Sequence, residues 1–131
     1  IHRIFTEKLR EGRASLLSEK FSRGEEVSLV DILNAVNEED VLAIEVVEEI
    51  GTVLGRALAG LINIFNPELV VIGGDVATVQ EYLLLPVKSA IQKHSLNIVN
   101  KDTSIKFSKL GEKAGPIGAC MLSRSKLLGL M

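Results

Sequence analysis

The sequence predicts an α/β fold in which long helices pack on a small sheet, and three observations lead to it. The apolar run Leu69-Val70-Val71-Ile72 stands between Asn66-Pro67 and the pair Gly73-Gly74, the pattern of a short strand buried on both faces and closed by a turn. The alternating stretch Ile105-Lys106-Phe107-Ser108 reads as a half-buried or edge strand, and a second glycine-bearing turn, Leu110 to Gly115, follows it and leads into helical sequence. Before Pro67, apolar residues recur every three or four positions, which is helical spacing. Strand, glycine turn and helix thus occur twice, and parallel strands joined by a right-handed crossover would bring both turns to one edge of the sheet.

In chain order, residues 2 to 22 form an amphipathic helix through Ile4, Phe5, Leu9, Leu16, Leu17 and Phe21, divisible in two because Gly12 weakens its middle. Ser22-Arg23-Gly24 ends it. Ser28 and Asp31 have the spacing of a capping box, in which each side chain satisfies a free amide of the first turn, so a short helix runs from there to about Val36. Asn37 is placed to cap the next helix, with Glu38, Glu39 and Asp40 in its first turn complementing the helix dipole. That helix is the longest element and reaches Phe65, its apolar stripe running through Val47, Ile50, Leu54, Leu58, Leu61 and Phe65. Because Glu45, Glu48 and Glu49 crowd its first half, the half from Gly51 onward is expected to be the more deeply buried. Gly51, Gly55 and Ala59, four apart, form a small-residue stripe that a neighbouring helix or strand, or a second subunit, could approach closely. Asn66-Pro67 stops the helix, since proline disfavours helical geometry in the residue before it.

Beyond Gly73-Gly74, Asp75 to Thr78 lead into a helix carrying Tyr82, Leu83, Leu84, Val87, Ala90 and Ile91. Pro86 within it predicts a kink or a restart. Asn97 to Ser104 is polar and turn-like. Pro116 can occupy the first turn of a last helix bearing Ile117, Met121, Leu122 and Leu128, with Gly129 as its terminator.

At 131 residues the chain fits a single segment, 1–131, with a real core. A net charge of −2 argues against a nucleic-acid face within it, since such faces concentrate Lys and Arg. The single cysteine, Cys120, excludes an internal disulfide and a thiolate cluster, and reads as a small core residue on an apolar helix. His2 and His94 lie far apart, so a metal site from this chain alone is not expected, and His94 reads as a solvent-facing helix residue rather than a base. No apolar run approaches the roughly 20 residues a bilayer requires and no signal peptide is visible, so a cytoplasmic setting without membrane contact is expected. The chain opens on Ile1 inside a charged helical pattern, which reads as a piece of a longer protein.

The phosphate motifs with a strong mechanism are missing: there is neither Gly-x4-Gly-Lys-Ser/Thr nor Gly-x-Gly-x-x-Gly after a strand. Gly73-Gly74 remains the leading site candidate, because ligands of open α/β sheets sit beyond the carboxyl ends of strands and glycine lets backbone approach them. A tight strand exit with no ligand is the competing reading. Asp75 is the one acid at that turn, and helix capping is its alternative role.

The stretch from Leu54 through Asn66-Pro67-Glu68 to Gly73-Gly74 resembles the carboxyl-terminal region of the ROK family of bacterial repressors and sugar kinases, and Ala114-Gly115-Pro116-Ile117-Gly118-Ala119 resembles that family's closing Gly-Ala motif. The tail Lys126-Leu127-Leu128-Gly129 is similar to the N-acetylglucosamine-repressor branch. The resemblance implies part of one lobe of an actin-like, ribonuclease-H-like ATPase fold. It also implies that, in a kinase, Gly73, Gly74, Asp75, Gly115, Gly118 and Ala119 would border the nucleotide. The family's phosphate loop, catalytic aspartate, sugar-binding Glu-x-Gly-His and cysteine-rich zinc motif would all precede Ile1, so zinc and ATP with magnesium belong to the parent protein and no cofactor to this segment.

Kinase members often carry a third glycine where this chain has Asp75, and a carboxylate would repel ATP phosphates unless a metal or cation intervened. The resemblance therefore implies a sugar-responsive transcriptional regulator that forms a homo-oligomer. It would hold a sugar or sugar phosphate through upstream residues and DNA through an amino-terminal domain. The alternatives are an ATP-dependent sugar kinase and an assembly module with no ligand of its own. No catalytic residue is expected in this segment.

Overall fold

The computed structural model describes residues 1–96 and 103–129. Its elements are α1 (His2–Arg10), α2 (Ser18–Ser22), α3 (Leu29–Asn37), α4 (Val41–Phe65), β1 (Leu69–Ile72), a 3-10 turn (Asp75–Val79), α5 (Gln80–His94), β2 (Ser104–Phe107), a second 3-10 turn (Gly111–Lys113) and a last helix, α6 (Ala114–Leu127). The expected polar turn over Asn97 to Ser104 lies, for residues 97–102, outside the described residues. The amino-terminal helix is in two pieces, with Gly12 at φ 88° after the first and Gly24 at φ 74° after the second.

The capping box forms as its spacing predicts. The Ser28 hydroxyl accepts from the Asp31 amide, and the Asp31 carboxylate accepts from the Ser28 amide and from Lys20 at 2.7 Å. Asn37, expected to cap α4, instead ends α3. The chain needs two more residues to turn, with Glu39 at φ 62°, so the cap falls on Asp40 and the helix begins at Val41. Glu38, Glu39 and Asp40 therefore precede the first turn of α4 rather than occupying it. One Asp40 oxygen accepts from the Ala43 amide at 2.8 Å and the other from the Leu16 amide at 2.6 Å, so a buried carboxylate caps α4 and pins the loop after α1. At its far end α4 stops on Asn66 in the left-handed conformation, φ 44°, a geometry asparagine tolerates.

The core is built where α1, α3 and α5 meet α4, around Phe5, Ile32, Val36, Val46, Ile62 and Leu83. The α4–α5 contact is the most extensive in the chain, and the small-residue stripe makes it. A Cβ added at Gly55 would stand 2.5 Å from the Val87 carbonyl oxygen and 2.7 Å from the Ala90 Cβ, so the two backbones approach too closely for any side chain there. Gly51 faces Pro86 in the same way, at 3.0 Å from its Cβ. α5 runs from Gln80 to His94 with Pro86 inside it, so the restart expected there does not occur, and opposite the proline Gly51 carries no side chain.

Contrary to the expected pattern, the second half of α4 is not the more deeply buried one. Each half supplies four buried residues, Leu42, Ala43, Val46 and Val47 in the first and Gly51, Gly55, Ala59 and Ile62 in the second. Val53, Leu61, Ile64 and Phe65 are exposed because α1, α3 and α5 leave that flank uncovered. The sheet shows the same one-sidedness. β1 and β2 pair in parallel, with Val70 opposite Ile105 and Ile72 opposite Phe107 on the face that packs on the core. Leu69 and Val71, beside Ser104 and Lys106, form the other face and are exposed, so β1 is covered on one side and not two. Ser104 accordingly starts β2 one residue earlier than expected.

α6 has Pro116 in its first turn and Gly129 at φ 62° just past its end, as expected. None of its described residues is buried, however, and Cys120, expected in the core, is exposed, since no described element packs over its apolar positions. No described helix is long and apolar enough to cross a membrane.

Candidate functional site

Parallel pairing fixes where the chemistry can gather: both glycine turns leave the sheet at its carboxyl edge, side by side. The Ser108 amide donates to the Ile72 carbonyl at 2.8 Å, extending the ladder one step beyond β2, and a Cβ on Gly73 would meet the Ser108 Cβ at 3.5 Å. Gly74 has φ 79° and ψ −170°, a region essentially closed to residues with a Cβ. This conformation swings the chain into the Asp75–Val79 turn, whose first bond runs from the Ala77 amide to the Gly74 carbonyl at 3.0 Å. Asp75 does not cap anything; Gly74 holds the cap position and Asp75 stays exposed. The Thr78 hydroxyl donates to the Asp75 carbonyl at 2.6 Å, tightening the turn.

Between these turns and α3 lies a cleft of about 330 Å³. The first turn contributes Gly74, Asp75 and Thr78, the second Gly111 at φ 50°, and α3 contributes Val30, Leu33, Asn34 and Asn37. Among the described residues, neither the Asn34 nor the Asn37 amide group, nor the Asp75 carboxylate, is engaged in a hydrogen bond or ion pair. Among the described residues Asp75 is the one charged side chain on the lining, and no described lysine or arginine lines it to offset a phosphate's charge. A wider hollow of about 420 Å³ between α5 and β2 gathers Lys88 and Lys106 but touches neither glycine turn.

Of the six residues singled out from the sequence, Gly74 and Asp75 line the cleft and Gly73 adjoins it. Gly115, Gly118 and Ala119 lie on α6 and do not line it; Ala119 instead borders a hollow of about 480 Å³ along α6 itself, with Cys120 and Arg124. Asn34, Asn37 and Thr78 were not legible as site residues. The available signal was two carboxamides three apart on a helix that is apolar beyond its capping Asp31, which the reading of Asn37 as a cap obscured. His94 is solvent-facing at the end of α5, as expected. Among the described residues no group of three or more histidine, cysteine or acidic side chains could hold a metal.

The parallel strand pair with both glycine turns at its carboxyl edge, backed by long helices, belongs by its likeness to solved structures to a lobe of the actin-like ATPase fold, a class that includes transcriptional regulators and sugar kinases. Within that class the chain belongs to the ROK family, whose model matches residues 6–126. It is 33% identical over 126 residues to a glucokinase of Halalkalibacterium halodurans, covering 96% of this chain and 38% of the relative. It is 29% identical over 107 residues to the DNA-binding transcriptional dual regulator NagC of Escherichia coli, covering 82% of this chain and 26% of that protein. The crystal structure of a ROK family transcriptional regulator, a homolog of the E. coli MLC protein, superposes with a TM-score of 0.74 at 31% identity, over 80% of this chain and 26% of that one. The chain thus spans between about a quarter and two fifths of the length of these relatives.

Proposed function

We propose that this chain is the carboxyl-terminal part of the effector region of a sugar-responsive ROK-type transcriptional regulator. The observation that carries the reading is the cleft at the strand ends: its described lining includes Asp75 and no cation, an arrangement hostile to the phosphates a kinase must hold. In this reading a sugar or sugar phosphate, and a structural zinc, are held by residues before Ile1, and a separate amino-terminal domain binds DNA. Sugar binding shifts the two-lobed effector region and so changes the spacing of the DNA-binding heads in a homodimer. The segment described here supplies scaffold and lever helices. The exposed flank of α4 and the outer face of β1 are then surfaces for the remainder of the fold and for subunit contact.

The experiment is made on the full-length protein: retardation of DNA from its own upstream region with and without candidate sugars, beside an assay for phosphoryl transfer from ATP to the same sugars. DNA binding relieved by a sugar, without phosphoryl transfer, is the expected result. Transfer of the ATP phosphoryl group to a sugar would overturn the regulator reading. It would favour the second one, an ATP-dependent sugar kinase, for which the likeness to the glucokinase speaks. In a kinase, Gly73, Gly74, Gly115, Gly118 and Ala119 would border the nucleotide, and a magnesium ion would have to stand between Asp75 and the phosphates.

A further inference from the structure

The outer edge of β2 forms a groove with α5, and we infer that this groove docks an extended, acidic segment of a partner protein as a third strand of the sheet. The register decides which backbone groups are on offer. The Ser104 amide donates to the Glu68 carbonyl and the Ser108 amide to the Ile72 carbonyl, both at 2.8 Å. Alternate residues of a parallel strand address the same neighbour, so Ser104, Lys106 and Ser108 serve β1, while the amides and carbonyls of Ile105 and Phe107 point away from it. Among the described residues β1 is the one strand beside β2, and no group accepts from those two amides. The hollow of about 420 Å³ follows this edge. Four successive residues line it, Thr103, Ser104, Ile105 and Lys106, which an edge presents together because neighbouring side chains of a strand stand on opposite faces. Lys88 and Gln92, one turn apart on α5, form the other wall. An edge strand beside a helix is a setting in which extended peptides add to a sheet, the ladder supplying affinity and the flanking side chains selectivity.

The charge of the groove selects the occupant. Lys106 stands on the outer face of β2, whereas Lys88 comes from α5, whose Leu83, Val87 and Ile91 belong to the core under the opposite face. Both lysines are exposed, neither forms an ion pair with a described residue, and no described acid lines the groove. An added strand turns successive side chains to opposite faces, so two adjacent acidic residues would meet one lysine each. A second copy of this chain is the poorer occupant, since pairing β2 with itself would bring the lysines of both copies to one seam. The groove touches neither glycine turn, so a regulator and a kinase would carry it alike.

The probe is an end-blocked peptide of sequence threonine-valine-glutamate-glutamate-valine-threonine, titrated into the full-length protein with amide exchange read at residues 104–107. Four strand residues span roughly 13 Å at about 3.3 Å each, so this peptide covers the edge with a residue to spare at either end. The Ile105 and Phe107 amides are expected to exchange fast in the free protein and about tenfold more slowly at saturation, while the Lys106 amide, already bonded to β1, changes little. Lys88→Glu and Lys106→Glu, both at exposed positions, should each weaken binding about fivefold. The same peptide methylated on every amide nitrogen keeps its charge but cannot build a ladder, and it should not protect the edge. Docking of a strand is overturned if Ile105 and Phe107 already exchange as slowly as Lys106 without peptide, because the edge is then paired within the protein. It is equally overturned if the peptide gives no protection at millimolar concentration. Undiminished binding of the methylated peptide would reduce the groove to an anion site, and undiminished binding of a peptide with lysines in place of the glutamates would remove the selection for acid; either result overturns the proposal.

Discussion

Two aspartates, Asp31 and Asp40, nine positions apart and different in role, illustrate what single side chains do here. Asp31 is held by the Lys20 ammonium and the Ser28 hydroxyl and amide, which lower its pKa from the ordinary 3.8 to about 2. A carboxylate depressed in the folded state contributes stability that is fully present above the unfolded value of 3.8 and is lost as pH falls through about 2. Melting temperature measured against pH should therefore fall for the native protein across that window, and Asp31→Asn should flatten the fall while lowering stability at neutral pH. Asp40→Ala is expected to be the more damaging change, by about 2 kcal/mol in chemical denaturation, because it removes the cap of α4 and leaves the Leu16 amide without its acceptor. Asp31 was legible in the sequence because a capping box is local, four residues long. Asp40 was not, since its second partner lies on the loop after α1 and its helix starts only after Glu39 takes a left-handed conformation that no spacing rule signals.

For the elements, periodicity located helices and their stops well: α4 reaches Phe65 and ends at Asn66, α3 starts after Ser28, and α6 finishes before Gly129. It did not tell which apolar faces are covered. An apolar stripe reports what a face is made of and not what stands against it, so Leu61 and Phe65 read as core and prove to be surface. The small-residue stripe carried more information, since only close approach compensates for glycines in a helix, about 1 kcal/mol each. Two substitutions on the same helix should separate the two effects. Gly55→Ala places a Cβ against the Val87 carbonyl and is expected to destabilise by about 1–3 kcal/mol through overpacking. Gly60→Ala meets nothing within 4 Å and is expected to stabilise by about 0.5–1 kcal/mol through helix propensity alone. Urea midpoints of the two variants, read against the native protein, check both signs.

Across the whole molecule, the order of elements and the convergence of two glycine turns were readable, because topology follows from the repeated strand, turn and helix. The cleft they form was only half readable: Gly74 and Asp75 belong to the turn that announced it, while Asn34 and Asn37 arrive from a helix some forty residues earlier, by folding alone. The exposed apolar groups cluster on the outer face of β1, the far flank of α4 and along α6, in a chain that covers 26–38% of the relatives' lengths. The isolated 131-residue chain should therefore bind a hydrophobic dye strongly and aggregate at micromolar concentration, and the full-length protein should bind the dye far less. Replacing Leu69 and Val71 by lysine in the isolated chain should cut the dye signal while leaving its helical circular dichroism intact. Equal dye binding by the full-length protein would contradict this account of the exposed faces.

The contact at Gly55 has a mechanical consequence. Two helices whose backbones interlock at one point, and which Asn63 ties again through the His94 carbonyl and the Leu96 amide, cannot slide past each other by a fraction of a turn. They turn together, as a rigid bar, about whatever pivots the chain allows at its ends, and the left-handed Asn66 and the strained exit at Gly74 lie at those ends. A displacement arising at the strand edge would in this way reach the opposite end of the bar undiminished, as in a crank rather than a spring.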